Sequence, residues 1–98
     1  MLLELDIKNE ADRLKLQKLA KALCDFKRIE ILKLIGEDKE FNYGELAKEI
    51  QRSPTSITNH LNWIREGEII EDLLIEGKRG KMQKIPKLKI TEIKIKLK

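Results

Sequence analysis

The stretch from Asn42 to Ile64 constrains this chain more than any other part. Asn42 can cap a helix and Glu45, three residues on, can bond back to it, a reciprocal pair that satisfies two orphan backbone donors. Leu46, Ala47 and Ile50 then form one apolar face. Gln51-Arg52 leaves room only for a tight turn before Ser53 offers a second cap. Pro54 suits the first helical position, where an N–H would have no partner. Ile57, Leu61 and Ile64 recur at i, i+4 and i+7, which buries that side of the second helix. Gly67 stops it. Two short helices with their own caps and a minimal turn read as a helix-turn-helix.

The flanking elements extend that motif. Leu3, Leu5 and Ile7 alternate with Glu4, Asp6 and Lys8, the period of a half-buried strand. Asn9 caps a helix over 10–24 with an apolar stripe of Leu16, Leu19, Ala20 and Leu23, with Leu14 close by. Asp25 caps a helix over 26–35, with Ile29 and Leu32 inward, joined by Ile35 or Phe26. Gly36 is expected to close it in the left-handed conformation, before a polar loop at 37–40. Beyond the helix-turn-helix, Ile69 to Ile75 reads as a strand, Gly77-Lys78-Arg79-Gly80 as a turn, and 81–85 as a returning strand. Pro86 interrupts that strand or lies on an edge. Ile90, Ile93, Ile95 and Leu97 mark a last alternating strand. The expected fold is α+β, mostly α: a single domain over 1–98, a winged helix-turn-helix with a β-hairpin wing and extra terminal strands.

Charge is unevenly spread. Residues 77–98 hold nine basic side chains and one acid, Glu92, for +8, while the rest of the chain stands at −4. A basic segment on an acidic body suggests contact with a polyanion. A single cysteine, Cys24, excludes an internal disulfide and fits a reducing cytoplasm; it is expected to be a buried apolar thiol. Apolar runs are too short to span a membrane, and the acidic N-terminus does not read as a signal peptide. Cys24 and His60 are the only soft ligands, too few for a transition-metal site. With no nucleophile and base set and no glycine-rich phosphate loop, neither catalysis nor a cofactor is expected.

The second helix of the motif carries the expected function. From Pro54 to His60 no residue is charged, in a chain that is 39% charged. Exposed helix faces ordinarily favour Glu, Lys and Arg. Thr55, Ser56, Thr58, Asn59 and Asn62 instead present short polar groups that can reach base edges in a major groove, asparagine pairing with adenine. Lys78, Arg79 and Lys81 surround the hairpin glycines and can neutralise phosphates or enter a minor groove. His60 suits either a DNA contact or an orienting role. Trp63 suits an interaction hot spot, but is expected in the core against the first helices.

These residues resemble the ArsR-type winged-helix transcription regulators, broadly the archaeal members, from about Leu19 to Lys84. Residues 22–32, Ala-Leu-Cys-Asp-Phe-Lys-Arg-Ile-Glu-Ile-Leu, are similar to that family's "ALSDPTRLRIL" opening. Glu45-Leu46-Ala47 is similar to its "ELA", and Ser53 to Ile64 to its "STVSRHLKVL" recognition helix. Gly67-Glu68-Ile69-Ile70 and Glu76-Gly77-Lys78-Arg79-Gly80 are similar to its wing, "GLV…EGR". The resemblance implies a homodimer on a palindromic operator. By position it assigns Thr55, Ser56, Thr58 and Asn59 to the DNA, with Lys78 and Arg79 in the wing. Asn59 stands where arginine is common, and Pro54 where a polar residue often contacts DNA. The family's metal-sensing cysteine pair is absent, and the chain ends in a strand where many relatives have a dimerising helix.

The expectation is a cytoplasmic, sequence-specific double-stranded DNA-binding repressor, with two recognition helices about 34 Å apart in successive major grooves. Strands 2–7 and 90–97, pairing within or between subunits, are expected to form the dimer interface with helix 10–24. The alternative is a protein-interaction winged helix, or a non-specific nucleic-acid or chromatin binder. No effector pocket is marked.

Overall fold

A computed structural model describes every residue except Asp38, and for Lys78 the backbone alone. Strand β1 (Leu2–Asp6) leads into helices α1 (Glu10–Leu23), α2 (Phe26–Ile35), α3 (Tyr43–Ile50) and α4 (Pro54–Glu66). A hairpin of β2 (Ile70–Glu76) and β3 (Met82–Leu88) follows, then β4 (Glu92–Lys96). β2 and β3 pair antiparallel from Ile70 opposite Leu88 to Glu76 opposite Met82. β1 and β4 form a separate parallel pair within the chain, from Leu2 opposite Glu92 to Asp6 opposite Lys96.

Local chemistry sets the helix boundaries. Asn9, Asp25, Asn42 and Ser53 each accept from a backbone N–H of the first turn they precede. At Asn42 the capping box is complete: its side chain accepts from Glu45 N–H at 2.8 Å, and its own N–H donates to Glu45 at 3.0 Å. The turn between α3 and α4 passes through Gln51 at φ 59°, ψ 47°. One core gathers Leu5, Leu19, Ala22, Ile31, Ile35, Leu46, Ala47 and Ile50 with Ile57, Leu61, Ile64, Ile69 and Ile70. Removing a side chain such as Leu61, wholly buried, would cost about 2–5 kcal/mol.

Several sequence expectations are corrected. On α2 the buried residues are Ile31 and Ile35, with Leu32 packed beside them, whereas Ile29 is 49% and Phe26 72% exposed. Ile29 stands two residues from Ile31, roughly 200° around the helix, so the two cannot share a face. On α1, Ala22 takes the core position beside Leu19, while Ala20 and Leu14 face out. Cys24 is exposed at the α1 C-cap, its thiol donating to the Lys21 carbonyl at 3.2 Å. β3 runs through Pro86, which lies opposite Asp72 and is tolerated because a two-stranded hairpin is all edge. The polar loop at 37–40 includes Asp38, outside the described residues.

Gly36 also differs from the left-handed conformation expected of it, while Gly67 ends α4 as expected. Gly36 has φ −75° and Gly67 φ −76°, both right-handed. At Gly67 the need is space: a Cβ there would lie 2.9 Å from the Ala22 Cβ, where α1 crosses the end of α4. The left-handed residue is the next one, Glu68, at φ 58°.

Candidate nucleic-acid interface

α4 meets the rest of the molecule along three sides. Ile57, Leu61 and Ile64 are wholly buried. About 100° per residue places Thr55, Asn59 and Asn62 on the opposite side, and all three are exposed. Ser56, His60 and Trp63 occupy one flank, and Thr58 and Arg65 the other.

Arg28 holds the first flank. Its Nε donates to His60 Nδ1 at 3.2 Å, and its guanidinium lies over the Trp63 ring, 5.4 Å from the centroid, within cation–π range. The same guanidinium donates to the Lys21 carbonyl and lies 3.5 Å from the Cys24 sulfur. One side chain therefore ties the ends of α1 and α2 to the middle of α4. Trp63 is consequently not a core residue: it is 45% exposed, because aliphatic side chains already fill the buried face.

Arg65 holds the second flank. It donates to Asp72 Oδ2 at 2.9 Å and to the Tyr43 hydroxyl, which donates to Asp72 at 3.0 Å. Burial, first, and the Asp72 charge, second, raise the Tyr43 hydroxyl above its ordinary value of 10.0 against the opposing effect of Arg65. The hydroxyl is thus a proton donor throughout the neutral range. This triad joins α3, α4 and β2, fixing the wing relative to the helix. A second link runs from Asn42 Nδ2 to Gln83 Oε1 at 3.4 Å, and Gln83 packs so closely over Gly77 that a Cβ there would lie 2.5 Å from its amide.

The predicted site residues are differently placed. Thr55 and Asn59 are exposed, with none of the observed side-chain hydrogen bonds. Asn62 shares their face, but its Oδ1 accepts from Arg65 at 2.7 Å, leaving the amide nitrogen to face outward contacts. The Thr58 hydroxyl donates to the Pro54 carbonyl at 3.0 Å and keeps only acceptor capacity. Ser56 is half-buried on the Arg28 flank, its N–H taken by the Ser53 cap at 3.2 Å.

In the wing, Gly77 N–H donates to the Lys81 carbonyl at 2.7 Å, closing the turn. Arg79 at φ 64° and Gly80 at φ 71° are both left-handed. Arg79 is the costly one, since a Cβ disfavours that region. Arg79 and Lys81 are exposed; the side chain of Lys78 lies outside the described residues. The orienting residues Arg28, Tyr43, Arg65, Asp72 and Gln83 were not singled out from sequence. Among the described residues no group of His, Cys, Asp and Glu could hold a metal ion, and no helix is long and apolar enough to cross a membrane.

Known proteins are similar to this chain in sequence and in fold. The sequence model of the family described as "Bacterial regulatory protein, arsR family" matches residues 25–72, from the α2 cap into β2. Among solved structures, the chain is similar to reduced HlyU from Vibrio cholerae N16961, with a TM-score of 0.64 at 25% identity. The match covers 81% of this chain and 77% of that one. No curated protein sequence matches.

Proposed function

We propose that this chain, which carries the ArsR-type winged helix-turn-helix of DNA-binding transcriptional regulators, acts as a sequence-specific homodimeric repressor in the cytoplasm. The observation that carries the reading is the outward face of α4. Thr55, Asn59 and Asn62 make an uncharged, hydrogen-bonding surface on a helix braced on both flanks. Such a helix enters a major groove as a rigid body, so the entropy of ordering it is already met. We assign base reading to Thr55, Asn59 and the free amide of Asn62, with Thr58 and Ser56 at the margins. Arg79, Lys81 and Lys78 supply phosphate or minor-groove contacts from the wing. We assign the chain to the archaeal members of that type on its resemblance alone; its Lys- and Glu-rich composition is of the kind seen in proteins from hot environments. Repression follows from occupying DNA that polymerase needs.

Selection of bound duplexes from a random pool tests the reading. A specific regulator enriches a palindromic site; a general nucleic-acid or chromatin binder enriches none. On the enriched site, Asn59→Ala is expected to lose about 1–3 kcal/mol, with relaxed preference at one position of each half-site. Arg79→Ala is expected to weaken all sequences alike. Unchanged binding by both variants would overturn the assignment.

A further inference from the structure

We infer that the open edge of β4 is the surface on which a second copy of this chain docks, β4 against β4 in antiparallel register centred on Lys94. The inference rests on the dimeric reading above and names the contact that makes the dimer.

β1 and β4 form a two-stranded parallel sheet standing alone. Parallel pairs are the weaker kind and ordinarily sit inside larger, covered sheets. Two strands alone are marginal. Leu2 and Ile95 on this sheet are 47% and 42% exposed, and Leu97 just past it is 70% exposed.

The two edges are not equivalent. At β1, the Asp6 N–H on the outer edge is already taken by the Asp12 carboxylate at 3.0 Å, so the start of α1 blocks that side. At β4, the Lys96 carbonyl accepts from Ile7 N–H, which turns Lys96 and, by alternation, Lys94 toward β1. The N–H and C=O groups of Ile93 and Ile95 therefore point to the open side. Among the described residues, no backbone hydrogen bond joins residues 92–97 to anything but β1 and Ile7 just beyond it.

Charge selects the occupant and the register. Exposed strand edges are usually protected by lysine, and β4 carries Lys94 and Lys96. In an antiparallel pair centred on Lys94, however, Glu92 of each copy faces Lys96 of the other, giving two opposite-charge pairs. The two Lys94 side chains meet at the centre, and each has Glu4 beside it on β1 of its own copy. On the other face Ile93, already packed against the core, meets Ile95 twice, covering part of the 42%-exposed Ile95 side chain. Pairing β1 with β1 in the same way would oppose Glu4 to Glu4 with no lysine on either strand. Pairing β4 with β1 of the next copy would be head-to-tail and open-ended, and Asp12 blocks it. The isologous β4 pair closes on itself as a four-stranded sheet ordered β1-β4-β4-β1.

Cysteine cross-linking tests this in the full chain with Cys24→Ser, which removes the exposed native thiol. In the inferred register the two Lys94 Cα atoms face each other as a non-hydrogen-bonded pair, about 4.5 Å apart, within disulfide range. The two Lys96 Cα atoms are about 13 Å apart, beyond it. Mild oxidation is expected to convert most of Lys94→Cys to a covalent dimer and to leave Lys96→Cys a monomer on a non-reducing gel. Ile95→Pro removes an N–H that points to the open side and is not used by β1. It is expected to abolish the dimer in light scattering with the circular dichroism of the folded chain retained. A dimer in light scattering without Lys94→Cys cross-linking, or equal cross-linking at both positions, would overturn the β4 contact and leave the dimeric regulator standing. A monomer at high concentration would overturn both.

Discussion

Arg28 and Arg65 each brace one flank of α4, and both do so through contacts that a lysine could not reproduce. Arg28 uses the edge and face of a planar guanidinium at once, donating to His60 and lying over Trp63. Arg65 joins Asn62, Tyr43 and Asp72. Its ion pair with Asp72 is partly solvent-exposed, 36% on the arginine side, so its worth lies in fixing geometry more than in stability. Tyr43 offers a direct reading of that network, because it is the only tyrosine in the chain. Its phenolate absorbance is expected to appear above pH 10, and Asp72→Asn is expected to bring the midpoint down. The linkage sign follows: a raised folded value gives stability that is whole below about pH 10 and is lost as pH rises through the folded value. An ordinary midpoint in the native protein would mean that the triad does not form.

At the scale of elements, caps and turns decide where each helix lies. Gln51 holds the α3–α4 turn in the left-handed region, where glycine has no steric cost. Gln51→Gly is therefore expected to stabilise the fold by about 1 kcal/mol, raising the unfolding temperature by several degrees. A drop on thermal unfolding would contradict the turn geometry. The caps Asn9, Asp25, Asn42 and Ser53 were legible in the sequence because each acts within three residues of itself. So was the buried side of α4, since its period is local. The braces were not, because Arg28 and His60 are 32 positions apart and Tyr43 and Asp72 are 29. Trp63 departs from expectation for a related reason: aromatic residues usually bury, but Ile57, Leu61 and Ile64 fill the buried face, and the distant Arg28 covers the ring from the flank. Gly36 looks like a left-handed cap in sequence but is right-handed, and at Gly67 it is the distance to Ala22, invisible in one dimension, that requires glycine.

At the scale of the whole molecule, extension matters. The radius of gyration is 14.7 Å, above the roughly 13 Å expected of a compact domain of about 100 residues. The long dimension of 52 Å is more than twice either of the others. An elongated molecule fits the proposal that α4 and the wing engage separate parts of a duplex. Charge on the hairpin favours the same approach more modestly: Lys78, Arg79, Lys81, Lys84 and Lys87 lie at its tip and on β3 against Glu71, Asp72 and Glu76 on β2, while Lys94, Lys96 and Lys98 lie on or beyond β4. The fold was legible at this scale as a set of elements, but the closing of the two termini into one parallel sheet needed coordinates. Alternation marks a strand without naming its partner.

The central claim is that the outward face of α4 reads base sequence while the wing supplies affinity. The most direct measurement is binding of the wild-type chain and of Asn59→Ala to the selected duplex and to a scrambled one, across a range of salt. Wild-type affinity is expected to fall steeply with salt on both duplexes, as counterion release requires. Its preference for the selected duplex is expected to persist, and Asn59→Ala is expected to lose much of that preference while keeping the same salt slope. Equal preference in the two proteins, or no preference in either, would contradict the account.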